Sequence, residues 1–180
     1  YLEAITWSFT DETINNKFRE NIEEVKIVNP ISSDLNVLRS SLFPNLIYYL
    51  EKNLNRGFNN QSLFEIGPTF IGKKPGQQIT IICGVRKEDQ LNIYDIKKDV
   101  VQTLVELGID KNETRISVET PSFYHPGRSG SIMTKNDKKL LAYFGQIHPK
   151  IINNTYGFEI FLENLVQYKS QNKKDKPTIT

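Results

Sequence analysis

At 180 residues the chain is long enough for one domain with a real core, burying about 70% of the surface its unfolded form exposes. Hydrophobic residues at 38% and aromatic residues at 11% exclude a disordered chain. A net charge of +2, from 23 basic and 21 acidic residues, gives no argument for nucleic acid by itself.

The lone Cys83 excludes an internal disulfide and fits a reducing compartment. No apolar run approaches the roughly 18 residues of a membrane span. The opening Tyr1, with no signal peptide, reads as a piece excised from a longer soluble protein.

From Ala4 to Phe9 the chain alternates, with Ile5, Trp7 and Phe9 on one side and Thr6, Ser8 and Thr10 on the other, which predicts a half-buried strand. Thr10 and Asp11 can cap a short helix running to Glu20, with Ile14 and Phe18 on one face. Val25 to Val28 is β-branched and predicts another strand, and Asn29-Pro30 turns the chain. Val37 to Arg39 reads as a short strand and Ser41 as an N-cap, with Pro44 tolerated in a first turn. Leu46, Ile47, Leu50 and Leu54 then share one face of a helix from Leu42 to Arg56, which Gly57 stops. Gln61 to Phe70 predicts a strand with Phe64, Ile66 and Phe70 on its apolar face. The whole stretch from Asn29 to Phe70 thus reads as one βαβ-like unit around a buried helix face.

A turn at Gly72 to Gly76 leads to a strand at Gln77 to Val85, apolar on both faces and so central in its sheet. Tyr94 to Leu107 repeats Ile96, Val100, Leu104 and Leu107 at helical spacing, and Gly108 ends the helix. Arg115 to Glu119 predicts a short strand and Ser122 to Arg128 a loop. Ser131 to Lys135 and Leu140 to Gln146 form a hairpin about Asn136-Asp137. Pro149 starts a short helix that Gly157 ends, and Phe158 to Leu162 is the last strand. Residues 1–168 make the core, and residues 169–180 are a polar linker or tail. Strands with interspersed helices and hairpins predict an α+β fold with a mostly antiparallel sheet.

Few residues carry chemistry. His125, His148 and Cys83 are the soft ligands, and their spacing matches no zinc pattern, so no metal site is expected. His125 with Ser129 lacks the strained elbow of a serine nucleophile, and no catalytic residue is assigned. Tyr124 to Gly130 offers Gly127 for a tight turn, the planar donors of Arg128 and the Ser129 hydroxyl. That segment either holds a phosphate or carboxylate, or is a structural turn whose arginine pairs with an acid. Arg39 has the same two readings, anion clamp or buried ion-pair partner, and Glu65 on an apolar strand needs such a partner. Phosphate-loop glycine motifs are missing. Lys52, Arg56, Lys73 and Lys74 near Tyr48, Tyr49 and Phe58 read as a solvated face or an RNA contact.

Five motifs in one order go further. Ala4-Ile5-Thr6-Trp7-Ser8-Phe9; Asn29-Pro30-Ile31-Ser32 with Leu38-Arg39-Ser40-Ser41-Leu42-Phe43-Pro44; Asn53-Leu54-Asn55-Arg56 with Phe64-Glu65-Ile66-Gly67; His125-Pro126-Gly127-Arg128-Ser129; and Gly145-Gln146-Ile147-His148-Pro149 resemble the beta-subunit family of bacterial phenylalanyl-tRNA synthetases. Tyr94-Asp95-Ile96-Lys97 also looks like that family's segment, and the likeness covers about Tyr1 to Leu165.

The resemblance implies the catalytic-like module of the beta subunit, with the class II synthetase fold, an antiparallel sheet flanked by helices. It implies a degenerate copy of the alpha subunit's active domain that helps to build a cytoplasmic heterotetramer of two alpha and two beta subunits. The holoenzyme would charge tRNA with phenylalanine, using ATP and magnesium, while this piece binds no cofactor and is inactive. Its implied partners are the alpha subunit, the rest of beta and, through the holoenzyme, tRNA. The motif or pseudo-site positions carried over are Asn29, Pro30, Arg39, Ser41, Glu65, Gly67, His125, Pro126, Gly127, Arg128, Gly145, His148 and Pro149. The class II arginines that hold ATP have no counterpart in Leu63 to Phe70 or in Phe158 to Asn164. An alternative reading keeps a pocket of that type for a nucleotide or an amino acid, lined by Arg39, Glu65, His125 and Arg128.

Overall fold

The computed structural model describes residues 1–20 and 22–166. Its strands are β1 (Leu2–Glu3), β2 (Phe9–Thr10), β3 (Val37–Leu38), β4 (Gln61–Phe70), β5 (Gln78–Lys87), β6 (Thr114–Ser117), β7 (Tyr124–Thr134), β8 (Leu140–Ile147) and β9 (Tyr156–Phe161). The main helices are α1 (Glu12–Asn15), continued by a 3₁₀ turn to Phe18, α2 (Phe43–Asn55) and α3 (Ile93–Glu106), with a 3₁₀ turn at Lys111–Glu113 and helical backbone at residues 162–166. Among the described residues seven strands form one sheet in the order β1-β4-β5-β9-β8-β7-β6, with β2 and β3 paired apart from it. All neighbours in the sheet are antiparallel except β1 beside β4. The α+β fold with a helix-flanked, mostly antiparallel sheet is as the sequence predicts.

Alternation along β5 explains the layers. Ile81, Cys83 and Val85 pack with Leu42 and with Phe43, Leu46 and Leu50 of α2 on one face. Ile82 joins Ile96, Val100 and Leu104 of α3 on the other, with Phe158 and Ile160 of β9. A strand covered on both faces reads as a near-continuous apolar run, which is why β5 carries one. Asn92 and Asp95 close a reciprocal capping box at the start of α3. Gly57 and Gly108 take φ of +86° and +84° just past α2 and α3, the left-handed turn that ends a helix.

Several local expectations change. Ala4 to Phe9 is not one strand: β1 ends at Glu3 and β2 begins at Phe9. Val25 to Val28 contributes a single bridge, Lys26 to Val37, rather than a strand. The segment from Asn29 to Phe70 is not a βαβ unit, because β3 pairs with β2 and not with β4. Tyr124 to Arg128 lies in β7 rather than in a loop, with an irregular register between Tyr124 and Ser129. After Pro149 there is only a turn, and Gly157 sits inside β9 because it lies against the Phe43 ring, where a Cβ would come within 2.5 Å. The polar tail at residues 169–180 lies outside the described residues.

The largest reversal is on β4. Its buried positions are Leu63, Glu65, Gly67 and Thr69, while Ile66, on the predicted apolar face, is 50% exposed. The segment from Ala4 to Phe9 is reversed in the same sense, with Ile5 90% and Trp7 62% exposed and Thr6 and Ser8 half-buried.

Candidate functional site

One row of side chains crosses the sheet on the face that carries α2. It runs from Glu65 on β4 through Cys83 on β5 and Glu159 on β9 to Tyr143 on β8, each directly opposite the next. Two carboxyl groups, both buried, therefore flank one buried thiol.

Glu65 is fully engaged. Arg39 Nη1 donates to Glu65 Oε1 at 2.8 Å, and the Thr6 hydroxyl donates to Glu65 Oε2 at 2.7 Å. Arg39 also donates from Nε to the Pro68 carbonyl at 3.0 Å and from Nη1 to the Thr6 hydroxyl at 2.9 Å. Both side chains are almost wholly out of water. The guanidinium lies over Gly67, where a Cβ would come 2.5 Å from Nη2, so glycine at 67 is part of the same construction. Thr6 must face inward to complete this cluster, and the two-residue period of an extended chain then turns Ile5 and Trp7 outward. Of the two readings of Arg39, the structure takes the ion pair.

Among the described residues no cation pairs with Glu159. Its Oε1 accepts from the Ser41 hydroxyl at 2.8 Å, and burial pushes its carboxyl up to about 7 against the pull of that hydrogen bond. Ser41 accordingly differs from its predicted role. Leu42 is the N-cap of α2, while the Ser41 oxygen accepts from the Phe43 N–H at 3.1 Å and its hydroxyl donates to Glu159. Burial, with the fields of Glu159 and then Glu65, pushes the Cys83 thiol well above its usual range, so it is no nucleophile. Tyr124 is also buried, with no partner for its hydroxyl, and burial and the field of Glu159 push it up as well. Beside Glu159 opens a cleft of about 290 Å³, lined among others by Ser41, Phe123, Tyr143 and Phe161.

The other motif residues form a second cluster, on β7 and β8 and beyond. His125 and His148 stack with ring centres 6.5 Å apart, and each accepts at Nδ1, from the Gly127 and Lys150 N–H groups. Each ring thereby terminates its own turn, at His125-Pro126-Gly127 and at His148-Pro149-Lys150. Arg128 is exposed and donates to Gln146 at 3.0 Å, and the Ser129 hydroxyl donates to the His125 carbonyl at 2.7 Å. Gly145 has φ +148°, and a Cβ there would lie 2.5 Å from the Arg128 carbonyl oxygen, so this crossing of β7 and β8 requires glycine. With β5, β9 and β8 between β4 and β7, the four residues of the predicted pocket do not converge. Asn29 and Pro30 belong to neither group and lie in an exposed bend. Among the described residues no group of three His, Cys, Asp or Glu side chains is placed to hold a metal ion.

With this geometry in view, comparison with known proteins is decisive. The family model of the phenylalanyl-tRNA synthetase beta chain CLM domain matches residues 1–160. The chain belongs to that family. It is 35% identical, over 99% of its length, to the phenylalanine–tRNA ligase beta subunits of Paramagnetospirillum magneticum and Rhodospirillum rubrum, and covers 24% of each. The beta subunit of Cereibacter sphaeroides is 36% identical over 84% of the chain. The chain thus spans about a quarter of the length of these relatives. A pyrrolysyl-tRNA synthetase of Desulfitobacterium hafniense shares the fold, with TM-score 0.71 and 19% identity, over 95% of this chain and 63% of that one. The CLM domain therefore has the class II synthetase sheet.

Glu159 escaped the sequence reading, although its signal is the one that singled out Glu65. Tyr156-Gly157-Phe158-Glu159-Ile160-Phe161 is an apolar strand with one carboxylate in the middle, and a buried carboxyl needs a stated partner.

Proposed function

We propose that this chain is a non-catalytic structural module of a phenylalanine–tRNA ligase beta subunit. It supports an alpha/beta heterotetramer that charges tRNA with phenylalanine, using ATP and Mg²⁺, in the cytoplasm. Its partners are the alpha subunit and the rest of beta, and tRNA is met through the holoenzyme.

The inside-out edge carries this reading. Ile5 and Trp7 stand in water, and Trp7 borders a groove of about 460 Å³ with Tyr48, Tyr49 and Leu35. Exposed aromatic and aliphatic groups around a groove are the surface expected where a partner is missing. The residues at hand do not fit a nucleotide. Arg39 is spent on Glu65 and Pro68, Arg128 sits on Gln146 at the far side of the sheet, and among the described residues no Lys, Arg or His lines the cleft beside Glu159. Without cations, little stabilises charge on a transferring phosphoryl group. That weighs against the alternative of a nucleotide or amino-acid pocket, which calorimetric titration with ATP and phenylalanine tests directly.

The scaffold reading is tested by co-purifying the complete beta subunit with alpha. Charging the edge with Ile5→Glu and Trp7→Glu is expected to abolish assembly while the 180-residue chain keeps its circular dichroism. Intact assembly of the doubly charged variant defeats the reading. Pyrophosphate exchange by the isolated chain with phenylalanine, ATP and Mg²⁺ is expected to be absent.

A further inference from the structure

The cleft beside Glu159 has a chemistry that the scaffold role does not use. Phe123, Phe161, Ile79 and Ile81 give it apolar walls, and Glu159 lies within them. A second carboxylate, Glu20, also borders it, and among the described residues no cationic side chain lines it. One Glu159 oxygen is held by Ser41, and no described residue donates to the other. The Arg39 guanidinium lies beyond Cys83 and is committed to Glu65, and that of Arg19 donates to the Ile22 carbonyl at the cleft wall at 3.2 Å. A buried carboxylate without a counter-charge is costly, and a ligand can bring the missing charge. At about 290 Å³ the space falls at the small end of ligand pockets, suited to one ring and a short chain.

We propose that this cleft binds a primary amine carried on a small apolar body, with the ammonium on Glu159 and the body against Phe123 and Phe161. The site selects against carboxylates, phosphates and free amino acids, because any ligand anion would meet Glu20 and Glu159 with no cation among the described lining residues to receive it. The inference is independent of the scaffold reading: it concerns a cleft within the chain, and assembly with alpha is measured separately.

Binding follows the ionisation of Glu159. The groups facing it are Cys83 on β5, Tyr143 on β8, Tyr124 on β7 and Glu20 at the cleft wall, with the Glu65–Arg39 pair behind Cys83. Burial pushes Cys83, Tyr124 and Tyr143 upward, so these three stay neutral while Glu159 titrates near 7. A primary ammonium keeps its proton well above that pH, as a lysine does at about 10. Affinity for the amine therefore rises with pH.

The test titrates 2-phenylethylamine, 3-phenylpropionate and L-phenylalanine into the 180-residue chain, read by amide chemical shifts of β5 and β9. The amine is expected to bind about tenfold more tightly at about pH 8 than at about pH 6, following the ionised fraction of a group titrating near 7. Glu159→Gln is expected to weaken binding at the higher pH by about tenfold or more, the loss of a charge-assisted contact. Phenylpropionate and phenylalanine are expected to leave the shifts unmoved. Silence of the wild-type chain towards millimolar amine overturns the proposal, whatever the variant does. So does undiminished binding by Glu159→Gln, or equal binding of phenylpropionate. Phenylalanine binding as tightly as the amine also overturns it, in favour of an amino-acid pocket.

Discussion

Glu65 and Glu159 are two buried carboxyl groups of the same sheet row, separated by one strand, and they are given different partners. Glu65 receives an arginine, a threonine hydroxyl and a glycine that makes room for the guanidinium. Glu159 receives one serine hydroxyl and is pushed up to about 7. Burial is nearly equal at the two positions, so burial alone does not decide what a carboxyl group becomes. The counter-charge does: for Glu65 it arrives from a remote segment, at Arg39, and for Glu159 none arrives among the described residues.

The contrast can be broken at Arg39 first. Arg39→Met leaves Glu65 buried without its partner, and a loss of about 4 kcal/mol is expected by urea denaturation. Arg39→Met with Glu65→Leu is expected to recover most of that, because the uncompensated charge is gone. A single-variant loss below about 1 kcal/mol at neutral pH is incompatible with a buried pair.

Glu159→Gln works in the other direction. The folded carboxyl titrates near 7, above its unfolded value of about 4.3, so folding favours the protonated form. Its contribution to stability is full below about pH 4 and is lost as pH rises through about 7. The variant, which cannot ionise, is expected to gain about 3 kcal/mol over wild type at about pH 8 and little at about pH 4. Equal stabilities at both pH values break the comparison.

Ser41→Ala removes the hydrogen bond that opposes the upward shift of Glu159. A loss of about 2 kcal/mol is expected above the titration and less below it, together with a further rise of the Glu159 midpoint in carbonyl NMR. An unchanged midpoint means that Ser41 and Glu159 do not communicate. Smallest is Tyr124→Phe. The hydroxyl has no partner and feels Glu159, so its removal is expected to be neutral or to add up to about 1 kcal/mol, seen as a slightly higher urea midpoint.

Legibility in the sequence followed the length and redundancy of each pattern. α2, α3, β4 and β5 repeat their signals over ten or more residues and lie within two residues of where periodicity predicts them. β2 and β3 are two residues each, too short for any periodic signal. A turn at Gly127 was recognisable, but the stacking of His125 on His148 is a contact between residues 23 apart in sequence, one in β7 and one just past β8. The ion pair of Arg39 with Glu65 was an open choice, because each residue's need was visible and their meeting was not. Glu159 was overlooked even though it carried the same signal as Glu65.

Local spacing by itself determined the two main helices, the long strands, the glycines that end the helices and the α+β class, since each depends on neighbours a few residues away. Five motifs in order also pointed to the family. Only the tertiary structure decided which side of an alternating segment is inside. Ile5-Thr6-Trp7 and Phe64-Glu65-Ile66 alternate equally well whichever face is buried. The choice fell to the polar face because Arg39, brought in from a third segment, needs Glu65 and Thr6 together, and an unpaired buried charge costs more than two exposed apolar side chains.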